Sequence, residues 1–211
     1  MLLELFGVIF GFIYLYLEIK QKQGMWLVGF LMAAVYAVVY WQQDVYASMS
    51  FQIYYVLVSI YGFLQWGKDK VAAGGSSAGS EGVGSSDDGL SGRKDNVSPQ
   101  ILYRRMSLKV LLISVLIYAV SVSFMVLVLG NYTDDPMPFA DSSITVVSAI
   151  ATFWLSKSYR EQWLAWLVVN SFTVVMCARI GLYPTALLYF VNAAASVYGY
   201  FHWKRKGVLI E

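Results

Sequence analysis

The chain has 211 residues, 58% of them hydrophobic and only 13% charged, with a net charge of +2. A water-soluble domain carries about 25% charged residues, so most of this chain belongs where water is excluded, and its mean hydropathy of +0.58 says the same. The near-neutral balance gives no electrostatic case for a nucleic-acid partner. The single Cys177 excludes an internal disulfide framework, and no P-loop, dinucleotide fingerprint or metal-ligand spacing marks an enzyme, a cofactor or a metal site.

Seven apolar runs follow one another, near 3–19, 25–43, 45–66, 107–130, 140–156, 162–180 and 183–203. Each reaches the roughly 17–25 residues that cross a bilayer core as a helix. The first lacks a basic leader and a small-x-small cleavage site, so it reads as a true span. In it and in the second, Gly7 with Gly11 and Gly29 with Ala33 read as packing pairs. Glu4 and Glu18 fall near span ends, so the spans are expected to hold no acid at their centre. The third run carries Gln52, Tyr55, Ser59 and Gly62 on one helical face. After it, residues 71–98 are mostly Gly, Ser and Asp, the composition of a flexible solvated linker. The fourth run leads to an acidic loop, NYTDDPMPFAD at 131–141, with an Asn-Tyr-Thr sequon and with Asp141 expected as a helix cap. The sixth contains Trp163, Trp166 and Asn170 at spacing i, i+3, i+7, one face of a helix. The seventh repeats the pattern of the third with Tyr189, Asn192, Ser196 and Gly199, and His202 near its end reads as an interfacial histidine.

Numbering the loops alternately places 14 of the 15 basic residues on one side and leaves Arg179 alone on the other. The positive-inside rule then puts the amino terminus outside and the carboxyl terminus in the cytoplasm.

The sequence also repeats itself. Residues 3–66 lie without a gap over 140–203 at a shift of 137, with identities that include Lys20/Lys157, Trp26/Trp163, Tyr61/Tyr198, Gly62/Gly199 and Trp66/Trp203. Spans 1–3 therefore match spans 5–7. The intervening fourth span keeps both copies in the same direction, an arrangement in which substrate sites lie near the midplane between repeats. The expected fold is an all-α membrane protein of seven transmembrane helices: two parallel three-helix repeats, 1–68 and 138–206, joined through a linker at 69–106 and a fourth helix with its outer loop at 107–137.

Polar groups in hydrocarbon are costly unless paired or turned to a cavity. Trp163, Trp166, Asn170, Gln52, Tyr55, Tyr189 and Asn192 are therefore the candidate substrate-binding set. Trp26, Trp66, Trp163 and Trp203 lie near span ends, and an interfacial belt is an equal reading for these four. Aromatic faces with amides suit a flat polar ring and attract a delocalised cation. The lack of a central acid or base points to facilitated diffusion rather than proton coupling.

The W-x-x-W-x-x-x-N pattern of Trp163, Trp166 and Asn170, the stretch VYASMSFQIYYVLVSIYGFLQW at 45–66 and PFADSS at 138–143 resemble the PnuC-type nicotinamide riboside transporters. That family shares the 3+1+3 plan of the SWEET sugar transporters. The resemblance covers nearly the whole chain except the linker. It implies passive uptake of nicotinamide riboside across a bacterial inner membrane, trapping by cytoplasmic phosphorylation, and a homotrimer. It further implies that the Trp pair lines the path of the pyridinium ring and that Asn170 bonds a polar group. Related thiamine carriers and a SWEET-like sugar carrier stay open as alternatives.

Overall fold

The computed structural model describes residues 2–42, 46–78, 101–132, 137–179 and 181–210; the side chains of 2–8, 46–48, 74–78 and 132 are outside that description. Most of the Gly/Ser linker, the tip of the acidic loop and Thr133 of the sequon lie outside it too. Seven helices follow the expected runs: α1 Leu2–Ile19, α2 Gly24–Gln42, α3 Tyr46–Ala78, α4 Leu108–Tyr132, α5 Pro138–Ser156, α6 Gln162–Arg179 and α7 Tyr183–Lys206. Among the described residues, stretches of α2, α4 and α5 are long and apolar enough to cross a membrane by length and composition alone.

Two helix ends differ from expectation. The helix α3 continues to Ala78, past the last apolar residue of its run, and α5 is capped at Met137 with Pro138 in its first turn. Proline suits that position because its missing N–H would be unsatisfied there anyway. Asp141 sits in that first turn rather than at the cap.

The main packing pairs are α2 with α3 and α6 with α7, while α4 packs chiefly on α5. Most large side chains of α4 face outward, Leu116 and Phe124 by about two thirds of their surface, as a helix bathed in lipid would show.

The chain is not wholly helical. Residues Ile101–Tyr103 form a short strand, β1, paired in parallel with β2, Gly207–Leu209. All three β1 side chains are buried, although the sequence placed them in the linker. The reason is local: ILY is an apolar island after the Gly/Ser stretch, and it finds a cleft at the end of the bundle.

That cleft is built by two loops of identical design. Gln21 after α1 and Ser158 after α5 both take the left-handed conformation, at φ 48° and 60°. Lys22 N–H donates to the Leu17 carbonyl (2.8 Å) and Tyr159 N–H to the Trp154 carbonyl (3.0 Å), the pattern that commonly ends helices at a left-handed residue. These residues match one another at the 137-residue shift. Gln21 then clasps β1: its amide accepts from Leu102 N–H and donates to Leu102 O, both at 2.6 Å, and reaches Ser158 Oγ at 3.3 Å. Arg104 N–H donates to Ser158 O at 2.9 Å, and the Arg104 guanidinium pairs with Asp69 at 3.0 Å. Lys70, beyond the apolar part of α3, donates to Gln21 O at 3.2 Å, and partial burial holds its ammonium below the usual lysine range.

Candidate functional site

Four tryptophans close the bundle at the same end. Trp26, Trp66, Trp163 and Trp203 are at most 1% exposed, which corrects the reading of them as an interfacial belt. Trp66 and Trp26 meet edge-on at 5.2 Å between ring centres, Trp163 and Trp203 at 5.7 Å, and Trp66 and Trp203 at 6.4 Å. Trp66 Nε1–H donates to Leu155 O (3.2 Å) and Trp203 Nε1–H to Ile19 O (3.0 Å), so α3 is tied to the end of α5 and α7 to the end of α1. Gly62 and Gly199 exist to admit these rings. A Cβ on Gly199 would lie 2.7 Å from three atoms of the Trp163 ring, and one on Gly62 would crowd Trp26 at least as closely. The quartet forms a plug, with Tyr103 and Ile101 of β1 in the same cluster.

Next to the plug is a cavity of about 240 Å³. Gly11 and Tyr14 line it from α1, Gly29 and Ala33 from α2, and Gln52, Tyr55 and Ser59 from α3. Thr152 of α5 and Trp166 of α6 complete the wall. Of the seven candidate residues, the structure thus brings together Gln52, Tyr55 and Trp166. Trp166 Nε1–H is sealed from solvent without a hydrogen-bond partner. A buried donor left unpaired costs about 1–3 kcal/mol, so a ligand acceptor near it would be rewarded.

The others lie elsewhere. Trp163 belongs to the plug, packed on Gly199 and Trp203. Asn170 is buried on α6, one turn beyond Trp166, without lining this cavity. Tyr189 and Asn192 are half-buried on α7, outside the cavity wall. Ser196 bonds back to the Asn192 carbonyl at 2.8 Å. His202 is buried and stacked on Tyr198 at 5.4 Å, near the end of α7.

The cavity wall also contains residues the sequence reading passed over: Tyr14, Met32, Tyr36 and Thr152. Gly29 was read as a packing residue only. It is that as well, since a Cβ there would sit 3.1 Å from Tyr14 and 3.3 Å from Ser59 Oγ.

Glu18 stands in the last turn of α1, at the span end where it was expected, and is buried there. It is only 4% exposed. The Gln162 amide lies beside its carboxyl, and Tyr14, one turn earlier, lies within electrostatic reach of it.

A second space, about 750 Å³ and almost wholly apolar, runs between α3, α4 and α5. Two of its polar groups are already engaged: Trp154 Nε1–H donates to Ser114 Oγ at 3.1 Å and Tyr54 Oη–H to Ala149 O at 2.8 Å.

Comparison with known proteins gives a consistent result. A family model described as "Nicotinamide mononucleotide transporter" matches residues 1–205. The "Nicotinamide riboside transporter PnuC" of Escherichia coli (strain K12) is 22% identical over 214 residues, covering 95% of this chain and 84% of that one. The protein of the same name from Neisseria mucosa is 27% identical over 193 residues, 88% of this chain and 65% of its own. Among solved structures, one titled "Crystal structure of the Vitamin B3 transporter PnuC" superposes with a TM-score of 0.61 at 22% identity, covering 93% of this chain and 77% of that one. At that identity the likeness speaks for the fold.

Proposed function

The chain belongs to the nicotinamide mononucleotide transporter family, and from that premise we propose that it carries nicotinamide riboside across the bacterial inner membrane by facilitated diffusion. The observation that supports this most is the cavity itself. An indole, three phenols and an amide (Trp166, Tyr14, Tyr36, Tyr55 and Gln52) share the wall with Ser59 and Thr152 and with the small or flexible Gly11, Gly29, Ala33 and Met32. A flat cation against Trp and Tyr gains from their ring quadrupoles, and the amide answers a sugar hydroxyl or a carboxamide. The relatives named for nicotinamide riboside agree in substrate class.

In this reading the helices form two parallel three-helix repeats joined through α4. The matched pairs Gln21/Ser158, Trp26/Trp163 and Gly62/Gly199 support it, each 137 residues apart. The end bearing the plug also carries the basic loops, so it is the cytoplasmic end and the amino terminus is outside. The plug is then the inner gate, shut while the cavity waits for substrate. Asn170, a turn beyond Trp166, joins the site as the helices shift. Phosphorylation in the cytoplasm traps the riboside, and the carrier works as a homotrimer.

Titration calorimetry on the detergent-purified chain tests the substrate, nicotinamide riboside first and thiamine second. Binding of the riboside is expected. Binding of thiamine alone would keep the fold and mechanism and change the cargo. Binding of neither, by folded protein, would overturn the cationic-vitamin reading.

A further inference from the structure

The strand β1 is bonded to both sets of helices at the end that bears the plug, by different kinds of bond on the two sides. Toward α5–α7 the bonds run backbone to backbone. Ile101, Leu102 and Tyr103 pair with Gly207, Val208 and Leu209, and Ile210 N–H donates to Tyr103 O at 2.9 Å. Arg104 N–H donates to Ser158 O at 2.9 Å and Arg160 N–H to Arg104 O at 3.2 Å, which makes Tyr159 the bridge partner of Arg104. The Arg160 guanidinium covers this side, 5.4 Å from the centre of the Tyr103 ring.

Toward α1–α3 the strand is held by side chains. The Gln21 amide bonds Leu102 N–H and Leu102 O, and the Asp69 carboxylate holds the Arg104 guanidinium at 3.0 Å. The two loops at the strand share a backbone design but differ in reach: Ser158 meets it with its own carbonyl, whereas its match Gln21 extends a long side chain. A ladder of backbone bonds yields as a unit. Two side-chain links let go by rotation about single bonds, with water taking the place of each partner. The ion pair is partly open to water, so screening keeps it weak. The plug joins the same two sides, through Trp66 to the end of α5 and Trp203 to the end of α1, and Ile101 and Tyr103 of the strand belong to its cluster.

We propose that β1 is a latch on the plug: it stays on α5–α7 as a fixed part of that side, and its release from Gln21 and Asp69 is a step the plug requires in order to open. The inference rests on the transport function proposed above. While the latch holds, the ends of α1 and α3 cannot part from those of α5 and α7, and the cavity stays closed at this end. The rate of release then bounds the rate of transport without touching the affinity of the cavity.

The test joins one strand residue to either side, in the full chain in liposomes. Asp69→Cys with Arg104→Cys replaces the ion pair, and Tyr159→Cys with Arg104→Cys replaces the bridge partners; Cys177 is buried and stays as it is. Each pair is closed with a short bifunctional thiol reagent that a reductant cleaves. The 69–104 link is expected to cut nicotinamide riboside uptake about tenfold or more, with calorimetric affinity within about twofold of the unlinked variant, and cleavage should restore uptake. The 104–159 link is expected to leave uptake within about twofold. Uptake unchanged by the 69–104 link would overturn the inference, because β1 would then be a static brace. Uptake lost with both links would overturn it too, because the strand would then have to leave α5–α7. Hydrogen exchange on Gln21→Ala/Asp69→Asn tests the same division without any link: Leu102 N–H should exchange about tenfold faster or more, with Arg104 N–H and Ile210 N–H within about threefold of wild type. Equal acceleration at all three would overturn the inference. Failure of the wild type to take up riboside would overturn the transport reading and this inference with it.

Discussion

Gly199→Ala tests the plug most directly. The added Cβ would sit 2.7 Å from Cε2, Cζ2 and Cη2 of Trp163, so the ring must retreat by about 1 Å to regain ordinary carbon contact. It has little room, being 1% exposed and edge-on to Trp203, which itself abuts Trp66. Overpacking of this kind costs about 1–3 kcal/mol, and the better helix propensity of alanine returns about 1 kcal/mol. The enclosed ring places the crowding in the upper half of that range, about 2–3 kcal/mol, so the net loss is about 1–2 kcal/mol and lowers the melting temperature of a chain this size by about 2–8 °C. Gly62→Ala should behave alike, because its Cβ would meet Trp26. Gly130→Ala is the control: nothing lies within 4 Å of its Cβ, so only the propensity gain remains. Thermal-shift measurements in detergent compare the three. If Gly199→Ala and Gly62→Ala melt with the wild type, the close packing of helix against indole is wrong, and with it the reading of the quartet as a closed gate.

Further expectations follow from the cavity and the clasp. Trp166→Ala should weaken riboside binding by about 1–2 kcal/mol, roughly 5- to 30-fold in Kd, by loss of ring stacking, read by calorimetry. Asn170→Ala should also lose binding while the protein inserts and folds normally; unchanged affinity would remove Asn170 from the site. Gln52→Ala should cost more affinity than Asn192→Ala, since only Gln52 lines the cavity; the reverse order would place the substrate elsewhere. Gln21→Ala removes both 2.6 Å bonds to Leu102 and should destabilise by about 1–3 kcal/mol, with faster hydrogen exchange at the Leu102 amide.

The helices were legible because the bilayer imposes a length, and a run of twenty apolar residues has few other uses. The site was legible only in part. Periodicity places Trp163, Trp166 and Asn170 on one face, but a face says nothing about how far along the bundle the plug ends and the cavity begins. One turn of α6 separates the two, and Trp163 falls on the plug side. The burial of Glu18, at the span end where the sequence places it, was not legible for a related reason. Distance from the end of an apolar run was taken as distance from water, yet the loop at Gln21 and the β1 strand fold back over that end and bury it. Nor does an apolar tripeptide in a Gly/Ser stretch announce its partner: β1 pairs with a segment more than 100 residues later, and only the folded bundle brings them together.

Under the proposed repeat, the two halves share their frame and differ in what fills it, and that difference leaves a cavity between them. At the 137-residue shift Gly29 stands where the second half has Trp166, and Ala33 where it has Asn170. Two large residues at those places would fill the centre, and two small ones would leave it without a wall of any chemistry. With Gly29 and Ala33 on one side and Trp166 on the other, the small residues of α2 open the space and the indole of α6 furnishes its far face. Symmetry is kept where closure needs it, in the glycine–tryptophan contacts of the plug. It is broken at the cavity, where the proposed recognition takes place. In the proposed carrier, two equal halves would offer an asymmetric solute two half-suitable sites; Gly29 and Ala33 opposite Trp166 would give it one.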